Sequence, residues 1–208
     1  GVDQGRVRLL PPMVPDRAES KDITNRSNRL VYIGQLKRDY NVLDMIEAVE
    51  EVSERVSPIA LEIAGDKFSR ENADQSYVDR LTQRLNSSKV VTWHKGLDRE
   101  GSLDLIGRCD VGIVWRSERF DQGPEISTKM IEYGSMGKPV IANRNAINED
   151  LLGKAYPLFA NDRREFIQKV ELALTDPGSY AEAAKVCQTV SPRFMFENRR
   201  ANVSTPVT

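Results

Sequence analysis

The sequence predicts an α/β fold, a doubly wound parallel sheet of the Rossmann-like kind. Three observations predict it. Short β-branched and apolar runs recur along the chain, amphipathic stretches of helical spacing separate them, and several runs close on glycine or tryptophan before a polar loop. Strands alternating with helices make parallel βαβ units, and right-handed crossovers wind these into one sheet with helices on both faces. In order, "LVYIG" (30–34) is the first strand, and "VLDMIEAVEEV" (42–52) sets its apolar residues on one helical face. "IALEIAG" (59–65) and "YVDRLTQRL" (77–85) repeat the pair, with a solvated loop at 69–76 between them. "KVVTW" (89–93), "GSLDLIGRC" (101–109) and "DVGIVW" (110–115) give strand, helix and strand. "ISTKMIEYGSM" (126–136) reads as a helix and "KPVIAN" (138–143) as the fifth strand. "YPLFA" (156–160) is expected to add a sixth, followed by helices at 163–174 and 179–190.

The ends differ in texture. Residues 1–28 carry Pro11, Pro12 and Pro15 and read as an interdomain linker with a short strand at "RVRLL" (6–10). Residues 191–208 lose periodicity and read as a tail, so the ordered unit is expected over 29–190. A chain of 208 residues, 39% hydrophobic, supports one ordinary domain with its own core. Its first residue is Gly1 rather than Met, so it is expected to be a processed product or a piece of something longer. Thirty Lys and Arg against 31 Asp and Glu give a net charge of −1. That balance excludes a general nucleic-acid surface but leaves room for a local cationic pocket. Cys109 and Cys187 lie far apart and read as reduced, buried thiols rather than a disulfide or metal pair. No apolar run approaches the ~18 residues of a membrane span, and no signal peptide is visible.

In open α/β sheets ligands bind outside the carboxyl ends of the strands. That rule directs attention to the loops after Gly34, Gly65, Trp93 and Trp115. Gly34 is followed by no glycine at dinucleotide spacing, which disfavours NAD. Nor is Gly134-Ser-Met-Gly-Lys138 a phosphate loop: it follows a helix instead of opening one, and Pro139 stands where a magnesium-binding hydroxyl belongs. It reads as a helix C-terminal glycine turning into a buried strand. The other end of that helix carries the chemistry. "GPEIST" (123–128) offers Ser127 and Thr128 as N-caps, and a helix start presents free N–H groups to an anion. Helical side chains lean toward the N-terminus, so Lys129 and Glu132 both reach that end. The residues alone fit two readings: a sugar-nucleotide diphosphate site, or plain capping beside an exposed Lys/Glu face.

"GPEISTKMIEYGSMGKPVIA" resembles the signature of the group 1 retaining glycosyltransferases of the GT-B fold. The resemblance extends in family order to "LVYIGQLKRDYNVLDMIEAV" (30–49), "LEIAGD" (61–66), "VVTWHKG" (90–96) and "LIGRCDVGIVWRS" (105–117). It covers about 29–175 and only the C-terminal, donor-binding half of that two-domain fold. It implies that Glu132, the second glutamate of a Glu-x7-Glu motif, holds the nucleotide ribose. The first glutamate should fall at 124, where Pro124 stands; Glu125, one place on, is the substitute for the contact to the donor sugar. The family's diphosphate-binding Arg and Lys-Gly fall on Gln35 and on Tyr40-Asn41, so Lys37 or Arg38 in the same loop is expected to supply the charge. Gly34 and Gln35 form the first loop, and the loop from His94 through Gly96 to Leu97 is implied to lie near the base through backbone contacts.

His94, the only histidine, is otherwise a surface or supporting residue at a strand end. Arg116 either faces the diphosphate or pairs with Glu118. Asp98 and Glu100 are expected to cap the next helix rather than bind metal, and Trp93 and Trp115 to pack at the core or rim. No Asp-x-Asp occurs, so no metal or other cofactor is expected. The implied reaction moves a hexose from a UDP- or GDP-sugar to an acceptor hydroxyl of a surface polysaccharide or glycolipid. The N–H groups at Ile126, Ser127 and Thr128, with Lys129 and Lys37 or Arg38, meet the charge that develops on the leaving diphosphate. The acceptor side belongs to an N-terminal half, without which the chain is expected to be inactive in transfer. A cytoplasmic protein, at most peripheral to the inner membrane face, is implied. Two alternatives stay open: a degenerate nucleotide-sugar-binding or assembly module, and a sugar-nucleotide epimerase of the same architecture. A phospho-receiver domain is disfavoured, because Gly34-Gln35-Leu36 lacks its acidic cluster.

Overall fold

The strands are short, and most of their residues are buried, as a sheet covered on both faces requires. β1 (Arg29–Ile33), β2 (Ala60–Ala64), β3 (Val91–Trp93), β4 (Val111–Val114) and β5 (Val140–Ala142) form one sheet in the order β3-β2-β1-β4-β5, with every pairing parallel. The computed structural model describes residues 13–14, 26–68, 74–120 and 125–196. The expected strand at 6–10, Pro11, Pro12, Pro15, residues 69–73, Pro124 and residues 197–208 lie outside them. Strand order runs outward from β1 in one direction and from β4 in the other, so the β1–β4 junction is the switch point.

Seven helices are described: α1 (Val42–Ser53), α2 (Gln75–Ser87), α3 (Arg99–Arg108), α4 (Thr128–Ser135), α5 (Ala146–Leu152), α6 (Arg163–Thr175) and α7 (Pro177–Val190). On α1 the apolar stripe Val42, Met45, Ile46, Val49 and Val52 is fully buried, the spacing of one helical face. Asp74, Asp98, Asn145, Asp162 and Asp176 cap their helices with their side chains, whereas Asn41 before α1 does not. Asp98 accepts from the Gly101 N–H (2.8 Å) and Asp162 from the Glu165 N–H (2.7 Å). None of the described helices is long and apolar enough to cross a membrane.

The expected sixth strand is instead a single bridge, Ala142 to Phe159. Pro157 lacks a donor, and the Tyr156 hydroxyl takes the outer edge of β5 for itself. It donates to the Val140 carbonyl (2.7 Å) and accepts from the Val140 N–H (2.9 Å). The segment ahead of it, unassigned by periodicity, forms α5. Beyond α7, residues Ser191–Phe194 turn in a short 3-10 helix with Ser191 and Phe194 buried, and Met195 bridges to Val14. Part of the expected tail and part of the expected linker are therefore joined, and Val14 and Phe194 pack into the core of this domain.

α4 is set by two local devices. Gly112 on β4 leaves room for the Tyr133 ring: a Cβ there would fall 2.3 Å from Tyr133 Cδ2. The Tyr133 hydroxyl in turn accepts the Ile33 N–H at the end of β1 (3.2 Å). Its C-terminus closes with Gly137 in the left-handed region (φ 70°), the Gly137 N–H on the Gly134 carbonyl and the Lys138 N–H on the Tyr133 carbonyl. That is a Schellman turn, which disposes of a phosphate loop at 134–138.

Candidate functional site

Two cavities open at the carboxyl ends of the strands, on either side of Gly34 and Gln35. The first, about 210 Å³, lies at the β1–β4 switch point against the start of α4, and Arg116, Glu125, Ser127, Thr128 and Lys129 line it with Tyr32 and Tyr40. The second, about 240 Å³, is walled by the loops after β2 and β3 through Gly65, Asp66, Lys67, Gly96 and Leu97, with Ser102 of α3. Close backbone approach ties the loops together: the Gly34 N–H donates to the Ala64 carbonyl (3.0 Å), the Leu36 N–H to the Lys67 carbonyl (2.9 Å) and the Gly65 N–H to the Lys95 carbonyl (2.6 Å). The Tyr32 hydroxyl donates to the Gln35 carbonyl (2.6 Å), and burial holds its pKa well above the usual phenol range, so it stays a neutral donor.

The first cavity is cationic on two sides. Arg116, only 12% exposed in its side chain, lies over the Phe120 ring at 4.6 Å and reaches Glu125 Oε2 at 3.6 Å, rather than Glu118. Across the cavity, Lys129 Nζ donates to Glu132 Oε2 at 2.6 Å, while Arg99 of α3 approaches the other oxygen of Glu132 at 3.5 Å. Glu132 is buried and does not itself line the cavity; it stands one side chain behind it. Ser127 is the N-cap of α4 and makes no capping bond with its side chain. Tyr40 and Phe120 pack with ring centroids 5.2 Å apart, joining the turn after β1 to the turn after β4. The Ser117 N–H bonded to the Asp39 carbonyl (2.9 Å) reinforces that joint. Gln35 Oε1 is buried with no partner among the described residues, a polar atom of a residue that lines both cavities.

Of the residues singled out in the sequence, Gly34, Gln35, Gly96, Leu97, Arg116, Glu125, Ser127, Thr128 and Lys129 line one or both cavities. Lys37, Arg38, His94, Ile126 and Glu132 do not. Arg38 turns away from the first loop, pairing with Asp74 at the start of α2 and lying 5.0 Å over the Tyr77 ring. The His94 ring points along the sheet face to Glu62 Oε2 (2.7 Å), a carboxylate only 4% exposed that Arg29 holds from the other side. His94 thus supports the loop that follows it. Asp98 caps α3 as expected. Sequence reasoning missed Lys67, Asp66 and Ser102; Lys67 and Asp66 follow Gly65, where the strand-end rule already pointed. Among the described residues no group of three or more His, Cys, Asp or Glu is placed to hold a metal ion.

Comparison with known proteins bears on this geometry. The family model described as "Glycosyl transferases group 1" matches residues 15–188. Among solved structures, the chain is similar to Anabaena Alr3699/HepE in complex with UDP and glucose, with a TM-score of 0.65 at 16% identity over 88% of this chain and 48% of that one. Trehalose-6-phosphate synthase OtsA gives 0.65 at 15% identity, over 88% and 43%. The pneumococcal O-GlcNAc transferase GtfA in complex with UDP and GlcNAc gives 0.63 at 7%, over 93% and 37%. The chain spans about half or less of the length of these structures. No curated protein sequence matches it.

Proposed function

The chain belongs to the group 1 glycosyl transferases, its sheet being one half of their GT-B fold, and from that premise we propose that it is the donor-binding half of a retaining enzyme. It takes a UDP- or GDP-hexose and serves transfer to an acceptor hydroxyl of a polysaccharide or glycolipid, the acceptor being held by a second domain. One observation carries the reading: two cations from different elements, Arg116 and Lys129, face one cavity at the N-terminus of α4, and a second cavity adjoins it across Gly34–Gln35. A diphosphate suits the first and a nucleoside the second.

In the transfer, the bond from the sugar's anomeric carbon to the diphosphate oxygen breaks and a bond to the acceptor oxygen forms. The acceptor's proton leaves with the nucleoside diphosphate. Negative charge accumulates on the leaving group as its bond loosens, and preorganised donors aimed at that charge lower the barrier. Arg116 brings a planar guanidinium suited to two phosphate oxygens. Lys129 brings a point charge, and the first turn of α4 the positive end of its dipole. Charge is met by side chains and amides, so no metal is required. Glu132, one side chain behind the cavity, holds Lys129 in place rather than touching the ribose, and Glu125 at the rim faces the sugar.

Isothermal calorimetry with UDP, GDP and their sugars tests this. Binding of one nucleotide, weakened roughly tenfold or more in Arg116→Ala, supports it, since a hydrogen bond to a charged group contributes about 1.5–3 kcal/mol. Binding without transfer in a full-length protein carrying both halves would favour the non-catalytic module. No binding of any nucleotide in that full-length protein defeats the proposal.

A further inference from the structure

Arg116 leaves the sheet where regular structure has ended: β4 stops at Val114, and the next turn begins at Glu118. One side chain holds its main chain in place. Asn143, the residue after β5, is 3% exposed. Its Oδ1 accepts the Arg116 N–H at 2.7 Å, and its Nδ2 donates to the Arg116 carbonyl at 2.7 Å. A neighbouring strand would supply one donor and one acceptor to the chain in the same way, so a single carboxamide prolongs the β4–β5 pairing by one step. Asn143 is anchored in turn. Its carbonyl accepts from Nδ2 of the buried Asn148 at 2.9 Å, and the Asn148 N–H is capped by Asn145 Oδ1 at 2.9 Å. The chain of bonds runs from the start of α5 to the rim of the cavity.

We infer that Asn143 is a positioning residue for the anion site: it fixes the Arg116 backbone so that the guanidinium lies over Phe120 and faces the cavity at the start of α4. The inference rests on the diphosphate reading above. Only a carboxamide of this length carries both a donor and an acceptor to reach the two backbone groups together. Aspartate lacks the donor, serine reaches at most one of the two groups, and alanine leaves a buried N–H and C=O without partners. Arg116 would then sample directions away from the cavity.

The test is calorimetric titration of the 208-residue chain with inorganic pyrophosphate, alongside the free nucleoside measured by saturation-transfer NMR. Wild type, Arg116→Ala, Asn143→Ala and the double variant are compared. Asn143→Ala is expected to weaken pyrophosphate roughly five- to tenfold, the scale of one lost hydrogen bond carried to the site, and to leave the nucleoside affinity unchanged. It should add no further loss once Arg116 is alanine, because two residues acting through one contact are not additive. A merely structural role would lower both affinities and add to the Arg116 effect. Unchanged pyrophosphate binding in Asn143→Ala, or full additivity in the double variant, overturns the inference. Equal pyrophosphate binding by wild type and Arg116→Ala overturns the diphosphate reading and this inference with it. Should Asn143→Ala fail to fold, Asn143→Ser, which keeps one bond at most, is expected to show a smaller loss with the same non-additivity, and the same outcomes count against it.

Discussion

Gly65→Ala is the substitution that tests whether the three ligand-edge loops form one unit. A Cβ at Gly65 would fall 2.1 Å from the Gly34 carbonyl oxygen and 3.5 Å from Leu36 Cδ2. The oxygen belongs to the backbone, so no rotamer change relieves the contact. The Gly34 carbonyl must retreat by about 1 Å to approach ordinary van der Waals separation. Retreat is opposed by the Gly34 N–H bond to Ala64 at 3.0 Å and, on the far side, by the Trp93 indole N–H on the Gly65 carbonyl at 2.9 Å. Overpacking of this kind costs about 1–3 kcal/mol. For a domain of this size each kcal/mol lowers Tm by about 2–4 °C, a fall of roughly 2–12 °C. Since Gly34 lines both cavities, nucleotide affinity is expected to fall as well, by roughly tenfold, an order-of-magnitude figure for displacing one wall of the site. Thermal unfolding followed by circular dichroism gives the first quantity and calorimetry the second. Gly153→Ala is the control: its φ of +86° makes alanine strained, but nothing lies within 4 Å of the added carbon and it lines neither cavity. It should cost about 1–3 kcal/mol of stability, matching the Gly65 variant, and leave affinity alone. Wild-type Tm and wild-type affinity in Gly65→Ala would refute the reasoning. A loss of affinity in Gly153→Ala would show that any destabilisation weakens binding.

Three further outcomes are expected. Glu132→Ala should weaken nucleotide binding at least severalfold by calorimetry; unchanged or tighter binding would leave Glu132 as no more than the counterion of Lys129. Asp176 caps α7, and the Ser179 hydroxyl and then the Gly178 N–H hold its pKa below the usual aspartate range. A folded pKa below the unfolded one adds stability above the ordinary aspartate range and loses it as pH falls through the folded value. Denaturant titrations should therefore show the gap between wild type and Asp176→Asn closing as pH falls below that range, and a constant gap would contradict the assignment. Burial pushes the Cys109 thiol up to about 12 and the Cys187 thiol up to about 11. Neither should react appreciably with a thiol-exchange dye at pH 8 in the native state, and both should react once the chain is denatured; fast native reaction would mean that the core opens.

How much of this was legible in the sequence follows from the range of each interaction. All five strands lie within two residues of their expected spans. The runs of β1, β2, β4 and β5 were plain because a parallel strand buried on both faces writes a continuous apolar run, while the edge strand β3 was marked by its β-branched residues and Trp93. The sixth expected strand carried the same run, but the tertiary role of one atom, the Tyr156 hydroxyl, decided against it. α5 has only seven residues and too few turns to show a period. At the site, the start of α4 and its cationic first turn were visible because a helix start is marked by local residue types, here Ser127 and Thr128, even though Ser127 makes no capping bond with its side chain. The behaviour of Arg38 and His94 was not, since their partners Asp74 and Glu62 lie 36 and 32 residues away. The Asn143 clamp was equally hidden, its two bonds crossing 27 residues of sequence.

The first loop, where sequence expectation sought the diphosphate's cations, presents Gln35 and Tyr40 to the first cavity, and the charge there comes from Arg116 beyond β4 and Lys129 on α4. Electrostatic attraction depends on separation and burial, not on which loop a charge comes from. Each of these cations already has a carboxylate counterion, and the two pairs differ in kind. Glu125 is 67% exposed and lies 3.6 Å from Arg116; an exposed pair contributes little, about 0–1 kcal/mol, and is readily exchanged. Glu132 is 8% exposed in its side chain and lies 2.6 Å from Lys129, where losing that partner would leave a buried carboxylate with only the longer Arg99 contact at 3.5 Å. On the proposed reading, a diphosphate therefore displaces Glu125 from Arg116 and leaves Lys129 and Glu132 together. Displacement frees Glu125 at the rim beside the sugar, which gives that glutamate a part to play one position away from where the family's motif places it.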